Sequence, residues 1–177
     1  CAEAGLPSGL VVNAPIDHEL AASVIDDPRV RAVTLTGSRR AGIAVAQAAA
    51  KSLTPCILEL GGSDPYMVLD DADIEVAAEC CATSRLINSG QSCIAAKRFI
   101  VMHTAYPDFL TALTGILGRK TVGDPMAETT DVGPLARADL ADKVRGQLAD
   151  TLKRGCQLRM QRGPESGNFV PISLVTE

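Results

Sequence analysis

The sequence predicts an α/β fold in which helices cover a parallel sheet. Two observations carry that expectation. The first third of the chain alternates β-type and helical stretches, and parallel strands joined in sequence need such crossovers. Of the 177 residues 46% are hydrophobic but only 3% are aromatic, so Ala, Val, Leu and Ile must fill the interior.

The elements follow in order. Residues 9–13 read as a strand, 16–25 as a helix, 32–35 as a strand, 39–52 as an Ala-rich helix and 56–58 as a strand. This β-α-β-α-β run places ligands at the carboxyl ends of its strands, where Thr36-Gly37-Ser38 falls. The turn cluster Leu60-Gly61-Gly62-Ser63-Asp64-Pro65 then marks a boundary, giving one lobe over residues 1–59 and a second over 60–177. In the second lobe 66–69 reads as a strand. Asp70-Asp71-Ala72-Asp73 supplies an N-cap and acids for a helix over 74–87, which stops at Asn88-Ser89-Gly90. Residues 98–103 read as a strand, 106–117 and 137–154 as helices, and 158–160 as a short strand. Val122-Gly123-Asp124-Pro125 and Val132-Gly133-Pro134-Leu135 read as turns.

Several function classes are disfavoured. The net charge of −4 comes without a basic patch, against a nucleic-acid partner. No apolar stretch approaches a bilayer's thickness, and Cys1-Ala2-Glu3-Ala4-Gly5 lacks the basic and apolar regions of a signal peptide, so a soluble, cytoplasmic protein is expected. The six cysteines show no CxxC spacing and are expected as free thiols. His18 and His103 lie outside any metal-ligand spacing, and no metal is expected. A start without Met and an end directly after the apolar run 170–175 lead us to expect a piece of a longer chain.

Three patterns carry chemistry. In Asn88-Ser89-Gly90-Gln91-Ser92-Cys93 a thiol ends a glycine-bearing loop; Lys97 and Arg98, if they point its way, would favour the nucleophilic thiolate. The bland alternative is an inert core cysteine. In Leu58-Glu59-Leu60-Gly61-Gly62 an acid follows an apolar strand, and a carboxylate shielded by aliphatic neighbours is a better proton acceptor. Its alternative is a solvated strand-end acid. In Thr36-Gly37-Ser38-Arg39-Arg40-Ala41-Gly42 a glycine and a hydroxyl open a helix, where free amides and the positive dipole end can cradle phosphate. This is not the GxGxxG fingerprint, and a simple Ser cap would look the same.

Taken together, Leu35-Thr36-Gly37-Ser38 with Gly42, Leu58-Glu59-Leu60-Gly61-Gly62 and Gly90-Gln91-Ser92-Cys93 resemble the aldehyde dehydrogenase superfamily, with Cys93 34 positions after Glu59 as in that family. Ala96-Lys97-Arg98-Phe99-Ile100-Val101, Val122-Gly123-Asp124-Pro125 and Asp131-Val132-Gly133-Pro134-Leu135 extend the likeness along nearly the whole chain. The stretches 60–65 and 90–98 look most like bacterial succinate-semialdehyde dehydrogenases. Ile87 departs from several of these, where Arg or Gln precedes the motif Asn, and it could not bind a substrate carboxylate.

The resemblance implies a Rossmann-like cofactor domain continuing into an α/β catalytic domain, the chain being a middle segment of the two. It implies Cys93 as nucleophile and Glu59 as general base. Gly37, Ser38, Gly42 and Leu60 become the cofactor candidates for NAD or NADP, an aldehyde such as succinate semialdehyde the substrate, and a homodimer or homotetramer the assembly. By the same resemblance the oxyanion is held partly by the Cys93 N–H, and an upstream Asn that completes it has no counterpart here. The residues alone leave two rivals: a non-catalytic remnant that binds a partner, and a thiol-dependent hydrolase. Ile87 and Gln161-Arg162-Gly163, where relatives usually carry a Gly-Gly pair, lean toward the first.

Overall fold

The computed structural model describes residues 3–177, which form two compact units that divide after Gly61. The division falls between the two glycines of the turn cluster.

The first unit contains helix α1 (His18–Ile25), strand β1 (Val33–Gly37), helix α2 (Arg39–Lys51) and strand β2 (Cys56–Leu60). Strands β1 and β2 pair in parallel from Val33↔Cys56 to Gly37↔Leu60, with α2 as their crossover. Helix α2 is rich in Ala, the best helix former, and Ser38 caps it by accepting a bond from the Ala41 N–H at 3.2 Å. Asp17 does the same for α1, accepting from Leu20 at 2.8 Å.

The strand expected over residues 9–13 does not form. Gly9 takes a left-handed conformation and the Leu10 N–H turns back to Pro7 O, leaving Val11 and Val12 more than 70% exposed. An apolar run becomes a strand only when a neighbour pairs with it, and among the described residues this one has none. The β-α-β-α-β expectation therefore shortens to one β-α-β unit.

The second unit contains β3 (Asp64–Val68), α3 (Ile74–Leu86), β4 (Ala96–Val101), α4 (Tyr106–Arg119), α5 (Ala138–Lys153), β5 (Gln157–Arg162) and β6 (Ile172–Thr176). Strands β3 and β4 are parallel; β5 and β6 are antiparallel. Strand β6 was not expected: its apolar run sits beyond a polar loop and forms because β5 gives it a partner. Asp73 caps α3 at 3.1 Å, in keeping with the acidic run before it. Helix α4 buries Phe109, Leu113, Ile116 and Leu117, the i, i+4, i+7, i+8 stripe of an amphipathic helix. They pack on Ala78, Cys81 and Ala82 of α3 and on Val68, and Phe99 meets Phe109 edge to face at 6.1 Å.

Cys56, Cys80, Cys81, Cys93 and Cys156 are free thiols; Cys1 lies outside the described residues. Of the adjacent pair, Cys80 is exposed and Cys81 buried, and burial together with Cys80 pushes the Cys81 thiol up to about 11. Among the described residues no helix is long and apolar enough to cross a membrane, and no group of three His, Cys, Asp or Glu could hold a metal.

Candidate active site

The carboxyl end of the β1–β2 pair gathers every candidate of the first unit. Thr36 lies beside Glu59 and Gly37 beside Leu60 in the parallel register, and Ser38 opens α2 directly after β1. Glu59 is the fourth residue of β2, not the residue after it, and it is exposed. Alternation along a strand explains this: Cys56, Leu58 and Leu60 are half-buried while Ile57 and Glu59 face out. The expected shielding by Leu58 and Leu60 is absent because those side chains belong to the other face.

The two glycines differ in purpose. A Cβ built on Gly42 would lie 2.8 Å from Leu60 Cδ2, so the Leu60 side chain packs directly on this buried glycine and would have to shift if it were replaced. A Cβ on Gly37 would meet nothing closer than Leu35 Cδ1 at 3.7 Å, so no protein neighbour demands glycine there. Its bare Cα leaves open the approach to the start of α2. That start carries exposed Arg39 and Arg40 and no acid in its first turn. Cations are unfavourable at a helix N-terminus, and an anion there would offset them. Ser38 Oγ, accepting from Ala41, still has its hydrogen to donate.

In the second unit Cys93 is exposed on the loop between α3 and β4. The loop begins with a one-turn 3-10 segment, Ile87–Gly90, in which Asn88, Ser89 and Gly90 all take positive φ. Two non-glycine residues in that region store strain and need surroundings that enforce it. Those surroundings are present. Ser89 Oγ donates to Gly133 O at 3.0 Å, Gln91 Oε1 accepts from the Ala136 N–H at 3.0 Å, and Gln91 Nε2 donates to Asn88 O at 3.0 Å. The Asp131–Leu135 motif is thus tied to the thiol loop.

Arg85 supports the loop from beneath, donating to Gly90 O and Ala96 O at 3.4 Å each. Burial pulls its guanidinium below the usual arginine range. Ser84 Oγ accepts from the Ala96 N–H at 3.3 Å and bonds to the Tyr66 hydroxyl at 2.7 Å.

The condition under which Lys97 and Arg98 would both favour the thiolate, that they point the same way, is not met. They are neighbours on β4, and successive side chains of a strand point to opposite faces. Lys97 Nζ donates to the carbonyls of Ser92, Cys93 and Ala95 at 3.2, 3.4 and 3.0 Å. Arg98 donates to Ser63 O at 2.8 Å. Among the described residues neither the Cys93 nor the Ile94 N–H meets an acceptor. The loop therefore presents an exposed thiol and two unspent amides on a fixed frame. Ser89, Gln91, Arg85 and Gly62 belong to that frame and were missed as sites. The signal for Gly62 was the paired glycine of its motif: a Cβ there would lie 2.6 Å from Cys93 O.

The sequence model of the aldehyde dehydrogenase family matches residues 1–177. The chain belongs to the aldehyde dehydrogenase family. It is 42% identical to a probable succinate-semialdehyde dehydrogenase (NADP+) of Synechocystis sp., over 98% of this chain and 39% of that protein. It is 39% identical to the succinate semialdehyde dehydrogenase (NAD(P)+) Sad of Escherichia coli, over 98% of this chain and 38% of that one. The crystal structure of succinic semialdehyde dehydrogenase from Streptococcus pyogenes in complex with NADP+ superimposes with a TM-score of 0.92 at 37% identity, covering 98% of this chain and 39% of that structure. The α/β fold is accordingly that of aldehyde dehydrogenases, and the chain spans about two fifths of the length of the relatives it matches.

Proposed function

We propose that the whole protein is an NAD(P)-dependent aldehyde dehydrogenase that oxidises an aldehyde to its carboxylic acid, with Cys93 as nucleophile and Glu59 as general base. The observation that carries this reading is the Cys93 loop: an exposed thiol beside two free amides, held in a strained backbone by bonds from its own unit. The relatives' names support the reaction class.

The chemistry proceeds through this chain's own groups. The Cys93 thiolate attacks the aldehyde carbon, a C–S bond forms, and the carbonyl electron pair moves onto oxygen. The Cys93 and Ile94 amides are suited to stabilise that oxygen. When bound, the nicotinamide supplies a two-electron acceptor. Cys93 then carries the acyl group as a thioester. Glu59 takes a proton from a water that attacks the thioester carbon, and sulfur departs as thiolate. Exposure of Glu59 suits a base whose substrate is water.

Gly37, Ser38 and the first turn of α2 would receive the cofactor's pyrophosphate. Leu60, seated over Gly42, would offer an aliphatic surface to the nicotinamide. On this reading residues 1–59 belong to the cofactor domain and 60–177 to the catalytic domain. A cytoplasmic homodimer or homotetramer completes the proposal on the strength of the family resemblance.

The relatives' names favour succinate semialdehyde as substrate. Ile87, at the entrance to the loop and 48% exposed, supplies no partner for its carboxylate, so other residues of the whole protein must do so. The test is aldehyde-dependent NAD(P)H formation by the full-length protein, comparing succinate semialdehyde with butanal. Higher kcat/KM for succinate semialdehyde supports the substrate, while equal values remove it and leave the reaction class. No NAD(P)H from any aldehyde, with ester hydrolysis indifferent to cofactor, would make the protein a thiol hydrolase.

A further inference from the structure

We propose that Lys97 is a positioning residue for the oxyanion site: it collects the loop's carbonyls on one side and so aims the Cys93 and Ile94 amides at the other. The inference rests on the reading of Cys93 as nucleophile and goes beyond it.

In a planar trans peptide the C=O and N–H of one unit point in opposite directions. Lys97 Nζ holds Ser92 O at 3.2 Å, and the N–H of that same peptide unit belongs to Cys93. It holds Cys93 O at 3.4 Å, and the N–H of that unit belongs to Ile94. Both amides must then point away from the ammonium, and neither has an acceptor among the described residues. A third bond, to Ala95 O at 3.0 Å, fixes the far end of the loop, where Ala95 and Ala96 are buried. Gly62 packs against the Cys93 carbonyl. A Cβ there would press on Cys93 O at 2.6 Å, so only glycine leaves that carbonyl where Lys97 holds it. A charged donor shared among three carbonyls is stronger than a neutral one and orients all three peptides together. The sequence suggested a different task for Lys97, promotion of the thiolate; the bonds it makes go to the backbone.

The two tasks separate in reactions that need no cofactor. Acylation of Cys93 by p-nitrophenyl acetate forms a C–S bond as charge gathers on the carbonyl oxygen, and p-nitrophenolate then leaves with its electron pair. Alkylation by iodoacetamide displaces iodide and develops no oxyanion. In the full-length protein, Lys97→Met is expected to lower the acylation kcat about 10- to 100-fold with little change in KM, because a misaimed amide is felt only in the transition state. Alkylation of Cys93 should keep the wild-type rate and pH profile. Lys97→Arg, which still donates to carbonyls, should recover most of the loss. Gly62→Ala, whose Cβ would displace Cys93 O, should reproduce the split and serves if Lys97→Met does not fold.

Wild-type acylation in both Lys97→Met and Gly62→Ala overturns the proposal. So does a shifted pH profile of alkylation in Lys97→Met, which would make Lys97 a charge effect on sulfur. Mapping of the acetyl group in the wild type keeps the two levels apart: acetyl on a residue other than Cys93 refutes the nucleophile, whereas acetyl on Cys93 with no effect of either variant refutes only the role of Lys97.

Discussion

The Cys93 loop and the Glu59 strand end are built to different standards. Around Cys93, side chains of Arg85, Gln91 and Lys97 bond to the loop backbone, Ser89 ties the loop to Gly133 O, and Ala95 and Ala96 anchor it on a unit whose core includes Phe109, Leu113 and Ile116. Glu59 stands exposed on a two-stranded pair, placed only by strand register, in a unit whose helices bury no more than Gly42 and Ala49. The difference follows the chemistry proposed for each. A nucleophile and its oxyanion donors lose rate with sub-ångström displacement. A base that works on water can accept its substrate over a wider range of positions.

If that contrast is right, the largest effect belongs to Cys93→Ala, which should lower aldehyde turnover of the full-length protein about 10⁴-fold or more. Normal turnover would end the assignment. Glu59→Gln should leave the first acylation intact and slow thioester hydrolysis about 100-fold; a burst of NAD(P)H followed by a slow steady state is the signature. Loss of the burst would instead make Glu59 a partner in the first step.

Stability should divide the same way. Leu113→Ala, at a side chain only 1% exposed, is expected to cost about 3 kcal/mol in denaturant unfolding, against about 0.5 kcal/mol or less for Ile57→Ala at 64% exposure. Similar losses at both sites would break the comparison. Cys81 sharpens it through pH. The folded state keeps a proton up to about 11 that an ordinary thiol releases near 9.0, so stability should fall as pH rises between these values. Below that window the contribution is fully present. Cys81→Ala should flatten this part of the pH profile, and an unchanged profile would deny that the thiol is buried as described. Ser38→Ala, which removes the α2 cap, should cost about 1 kcal/mol, between the core and surface values. NAD(P) affinity measured on the same variant tests whether the hydroxyl also meets phosphate.

Much of this was legible because it is local. Ser38 and Asp73 announce helix starts by residue type, and Gly90-Gln91-Ser92-Cys93 announces a loop that ends in a thiol. What was not legible depends on partners or direction. The strand expected at 9–13 lacks a neighbour, and β6 exists only through β5. Glu59 was expected to be shielded by Leu58 and Leu60, which strand alternation turns to the other face. Lys97 and Arg98 could be located from the sequence but not aimed; only the strand beneath them shows that they diverge and that one holds the loop's carbonyls. The bonds from Ser89 to Gly133 and from Ala136 to Gln91 join residues more than forty positions apart, beyond the reach of any spacing rule.

The most direct test of the preorganised Cys93 loop is peptide mapping of full-length Glu59→Gln protein, quenched after mixing with aldehyde and NAD(P). A near-stoichiometric acyl adduct on Cys93 is expected. An adduct on Cys80 or Cys156, or turnover with no adduct at Cys93, would contradict it.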